Sequence, residues 1–128
     1  MSLTVPAALL DRAKAGPISD DEFIACVRDS LPYAWSVVSA VAGEFVTSGG
    51  TYADNQTPPP DEAARGQLLR LVASDAMRGA VERHFNVKLA FQNCHKLAMF
   101  APSDQAAYEE FSTPRAQVLN QKPELVNC

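Results

Sequence analysis

The chain is poor in the residues that most often announce a function. It has three cysteines, two histidines and one tryptophan, and its eleven Lys and Arg are outnumbered by fifteen Asp and Glu. The basic residues form no cluster and the net charge is −4. A sequence-independent nucleic-acid surface needs several cations along one face, so no nucleic acid is expected as a partner. An anionic membrane surface is disfavoured for the same reason. No apolar run approaches the roughly 18 residues of a membrane span. The start, "MSLTVPAALLDRAK", lacks the basic opening and long apolar core of a signal peptide. A cytoplasmic protein without membrane association is therefore expected. The odd cysteine count in such a chain favours reduced thiols over disulfides.

What is present is ordinary globular composition, 47% hydrophobic and 20% charged over 128 residues. That suits a single domain, residues 1–128, with a core of its own. "ISDDEFIACVRDS" carries a helix start, with Ser19 as cap, Glu22 three residues on, and Ile18 and Phe23 placed as a hydrophobic staple. Cys26 falls on the inward face of that helix. A short helix over 6–15 precedes it and ends at Gly16-Pro17. Pro32 starts a new helix over 32–47, "PYAWSVVSAVAGEFV", apolar over most of its circumference and so central. Its small stripe, Ser36, Ser39 and Gly43, would admit another helix closely.

Residues 49–60 read as a long loop stiffened by Pro58-Pro59-Pro60. One helix is expected over 61–85, with Leu69, Val72, Ala73, Ala76, Met77, Ala80 and Val81 as its apolar stripe. Arg78 and Glu82 are spaced for a pair within it. "VKLAFQNCHKLAMF" alternates, with apolar residues at odd positions, and a turn at Gln92–Cys94 folds it into a hairpin. Phe91 would face His95, Leu89 would face Leu97 and Val87 would face Met99. Two short helices follow, capped by Ser103 and Thr113, and Pro123 ends the second. The expected fold is α+β and predominantly helical: a helix bundle around a central apolar helix, with one β-hairpin. The hairpin's free edges point to a homodimer.

Cys94 and His95 raise the question of a catalytic pair, with His84 as the other candidate acid or base. Neighbours in a strand point to opposite faces, and no carboxylate lies close in sequence to orient the imidazole. The pair reads as a turn rather than a dyad. Cys26, His84, Cys94, His95 and Cys128 are suitable ligand types without the short spacings of compact sites, so no metal and no cofactor are assigned. His84 reads as a helix-end histidine. The densest polar cluster is Tyr52, Asp54, Asn55 and Gln56, on the long loop. With Trp35, whose ring N–H needs a partner, these are the candidate ligand-binding residues.

The leading functional reading is a non-catalytic accessory protein that binds a small-molecule ligand or a partner. The alternatives are a small enzyme of specialised metabolism using a His/Asp acid–base pair, and a pocketless structural or regulatory homodimer. "LPYAW", "ADNQTPPPDEAARGQLLR", "ASDAMRG", "FQNCHKLAMF" and "RAQVLNQKPE" together resemble a family of small uncharacterised actinomycete proteins. That resemblance spans nearly the whole chain. It implies a stand-alone cytosolic protein from an actinomycete-like background and transfers no site residue.

Overall fold

The computed structural model describes residues 2–122; Pro123 and Cys128 lie outside that range. Among the described residues the order is α1 (Ala7–Ala15), α2 (Asp20–Ser30), α3 (Pro32–Thr47), β1 (Tyr52–Asp54), α4 (Glu62–Ala73), α5 (Asp75–Phe85), β2 (Lys88–Gln92), β3 (Lys96–Phe100), α6 (Gln105–Phe111) and α7 (Pro114–Leu119). The fold is α+β and predominantly helical. None of these helices is long and apolar enough to cross a membrane.

The capping chemistry is mostly as read. Ser19 accepts from the Glu22 amide and the reciprocal Glu22 bond completes the capping box. Cys26 is buried, with its thiol 3.6 Å from the Thr4 carbonyl. Asp104, not Ser103, caps α6, because its carboxylate reaches the Ala107 amide at 3.1 Å.

The expected 61–85 helix is two helices. Ser74 leaves the helical region and its hydroxyl caps α5 through the Met77 amide at 3.2 Å. The break resets the helical phase. Leu68 and Leu71 become fully buried and Leu69, expected inside, is 38% exposed. Arg78 does not pair with Glu82; it reaches Asp75 at 2.7 Å and the Val72 carbonyl at 2.9 Å.

The hairpin has a neighbour that sequence did not show. β1 pairs antiparallel with β3, so the sheet order is β1-β3-β2 and β3 is central. The register is also displaced: Leu89 faces Met99, Phe91 faces Leu97 and Gln92 faces Lys96. Asn93 and Cys94 both take left-handed backbone, φ 57° and 53°, so the turn sits one residue later than expected. A shift of two preserves parity. The odd residues Val87, Leu89, Leu97 and Met99 still face one way, onto α2, α3, α4 and α5. The even face is covered too, with Ala90, Ala98 and Phe100 under Tyr108 and Phe111 of α6.

Candidate functional site

α3 begins without a cap of its own: Leu31 offers no side-chain acceptor. Gln67 of α4 supplies one, its Oε1 accepting from the amides of Tyr33 at 2.8 Å and Ala34 at 3.3 Å. Fixed there, α3 packs Ala34, Val38, Val41, Ala42 and Phe45 inward. Tyr33, Ser36, Val37, Ala40, Val41 and Glu44 form a second stripe at helical spacing. This stripe is one wall of a cleft of about 480 Å³; the other wall is Asp54–Thr57 with Pro58 and Pro60. The small stripe does not receive a helix. Ser36 lines the cleft, and nothing lies within 4 Å of a Cβ placed on Gly43.

The far wall is held by two polar clasps. Asp54 is 8% exposed; its carboxylate accepts from the Tyr52 hydroxyl at 2.6 Å and the Gln56 amide, and meets Lys96 Nζ at 3.2 Å. A buried carboxylate requires such partners. Asn55 makes the second clasp. Its side chain donates to the His95 carbonyl at 2.6 Å and accepts from the Leu97 amide at 2.7 Å, while its backbone amide reaches the Leu97 carbonyl at 3.2 Å. Asn55 thus continues β1 with a side chain in place of a strand.

Burial raises the Tyr52 hydroxyl well above the ordinary tyrosine range, and the hydrogen bond to Asp54 and that carboxylate's charge raise it further. Tyr33 is raised by burial first and by the Asp61 carboxylate second. Both hydroxyls are neutral at physiological pH. Asp54 is matched by Lys96, whereas Glu44 has no cationic partner among the described residues. The cleft therefore has an apolar length, polar groups along one wall, and one unmatched negative charge.

The predicted site residues divide between places. Asp54, Asn55 and Gln56 border the cleft. Tyr52 sits beside it, its ring edge-on to Phe100 at 5.2 Å. Trp35 is not in the cleft; it packs against His84 and Phe85 of α5, each at 5.6 Å. Tyr33, Val37, Ala40 and Glu44 were not singled out by sequence, although their 4-3-4 spacing, with Ser36 and Val41 beside it, was there to find.

Neither histidine lines the cleft. His84 is exposed at the end of α5. His95 is buried, with Nδ1 2.7 Å from the Asn93 carbonyl, which assigns the proton to Nδ1. Its Nε2 is buried without a partner among the described residues. Cys94 is disulfide-bonded rather than a reduced thiol, contrary to expectation, and cannot serve as a nucleophile in that state. Among the described residues neither histidine hydrogen-bonds a carboxylate. Among the described residues no three His, Cys, Asp or Glu side chains converge as a metal site.

No curated protein and no solved structure matches the chain. The model of the family described as NucS shadow ORF matches residues 1–128, and the chain belongs to that family.

Proposed function

We propose that the protein is a non-catalytic binding module whose cleft, between α3 and residues 54–60, holds a small molecule. The observation that carries the reading is the α3 stripe: Val37, Ala40 and Val41 face a proline-stiffened wall across about 480 Å³, with unmatched Glu44 among them. An apolar cleft with a few fixed polar groups is the usual form of a ligand site. The ligand class that fits is a compact, largely apolar molecule carrying an amine or another donor for Glu44. Asp54 and Asn55 hold the wall and leave little hydrogen-bonding capacity for a ligand.

A protein-observed NMR screen of aromatic amines tests this. The reading expects shifts concentrated at the amides of Val37, Ala40, Val41 and Gln56, and weaker binding in Glu44→Gln. Shifts scattered over the surface, or equal binding of neutral analogues, would overturn it. A cytoplasmic setting and an actinomycete source belong to the same proposal, on sequence grounds alone. In a reducing cytoplasm the Cys94 bridge would open, and the cleft does not depend on it.

The expected homodimer rested on two free hairpin edges, and β1 now covers one of them. The family description favours a second reading, that of a frame in the shadow of another. Its product would then have no selected ligand. Peptides of this chain in a proteome of the source cell would support the first reading, and their absence the second.

A further inference from the structure

We propose that the outer edge of β2 is a docking site for an extended acidic peptide, added as a fourth strand to the sheet. This site is separate from the cleft and lies at the opposite edge of the sheet.

The Leu89 amide donates to the Glu82 carboxylate at 2.9 Å, so it points away from β3. In an antiparallel ladder alternate residues share that direction. The Phe91 amide and carbonyl therefore face outward as well, and the Phe91 amide has no acceptor among the described residues. Glu82 Oε2 occupies the position that a neighbouring strand's carbonyl oxygen would take. The edge is thus set up for strand pairing, with one bond already made by a side chain.

This edge lies at the floor of a groove of about 530 Å³. One wall is α4 and α5, through Val72, Arg78 and Glu82; the other is α6, through Tyr108 and Phe111. Neighbouring strands lie about 4.8 Å apart, so a fourth strand paired to β2 would run along this groove. Pairing β2 with β2 of another molecule would drive the helical walls of both against each other.

Charge selects the peptide. Of the charged groups lining the groove, Arg78 pairs with Asp75, and Glu82, without a cation partner among the described residues, is held on the Leu89 amide; Lys88 has no carboxylate partner among them, and its ammonium lies 4.7 Å from the Tyr108 ring centre. An acidic side chain on the incoming strand would find Lys88 at the rim. Main-chain bonds give such a complex its affinity and side-chain contacts its selectivity.

The probe is an acetylated, fluorescein-labelled peptide of about eight residues, within ordinary strand length, alternating valine and aspartate. Its controls alternate valine and lysine, or carry a central proline. Anisotropy should show saturable binding of the aspartate peptide and binding about tenfold or more weaker for both controls. Lys88→Glu should reverse the charge preference, and NMR should place the largest shifts at the Leu89 and Phe91 amides. No saturable binding at millimolar peptide, equal binding of both charge types, or shifts elsewhere would overturn the proposal. So would a concentration-dependent dimer that protects the Phe91 amide, which would assign the edge to a second copy.

Discussion

The two sides of the sheet are finished in different ways. On the β1 side, Asn55 carries the pairing with β3 one residue past β1, bonding Leu97 through its side chain and its backbone amide, and Asp54 gathers the side chains of Tyr52, Gln56 and Lys96. At the β2 edge, among the described residues, the Leu89 amide alone is answered, by Glu82, and the Phe91 amide is left open in a groove. An open edge invites pairing, while a segment clasped by its own side chains can carry a rigid wall. The difference is why the small-molecule cleft is placed beside the first and the peptide groove along the second.

Breaking the Asp54 clasp should have the largest effect. Asp54→Ala leaves Lys96, with only 20% of its side chain exposed, and the Tyr52 hydroxyl without their partner. Urea denaturation should show a loss of about 3 kcal/mol, the scale of a buried pair broken from one side. Asp54→Asn should cost less.

The next effect compares the two side-chain strand mimics. Asn55→Ala removes two hydrogen bonds at partly buried positions and should cost about 2 kcal/mol, and Glu82→Gln at the open edge about 1 kcal/mol or less. Hydrogen exchange should separate them further. The Leu97 amide should be protected in the native protein and lose protection in Asn55→Ala, whereas the Phe91 amide should exchange fast in both.

A third difference appears only in base. The folded state raises the Tyr52 pKa, so its neutral form is stabilised by folding. That contribution is fully present below the ordinary tyrosine range, near pH 10, and is lost as pH climbs above it. Ultraviolet titration should show two tyrosines ionising late, Tyr33 and, later still, Tyr52. Asp54→Asn should bring it part of the way back, since burial is the larger cause.

The smallest effects on stability belong to the residues given binding roles. Glu44→Gln removes and Lys88→Glu reverses a charge that has no ion partner among the described residues, and each should change stability by less than about 0.5 kcal/mol. Larger losses would mean that these side chains hold the fold.

Much of the scaffold was legible because it is written in short-range chemistry. The Ser19–Glu22 capping box, the Pro32 start and the alternation of β2 and β3 all read directly. The register shift had a local cause, two consecutive left-handed residues at Asn93 and Cys94, and Cys is an unusual residue there. The break at Ser74 was hidden because apolar spacing runs on across it. β1 is three residues long and exists through pairing with β3, a partner more than forty residues away. The candidate site was half legible. The polar loop stood out by composition, but Asp54 and Asn55 proved to be its fasteners. The α3 stripe was obscured by a helix apolar nearly all round, and Trp35 drew attention to the wrong side of it.

The most direct test of the central claim is native mass spectrometry of gently purified protein beside its Ala40→Trp variant. Ala40 is exposed on the cleft wall, so the larger ring fills the space without entering the core. The account predicts an organic mass retained by the native chain and lost from the variant, with unchanged circular dichroism. A bare native chain, or a mass retained equally by both, would contradict it.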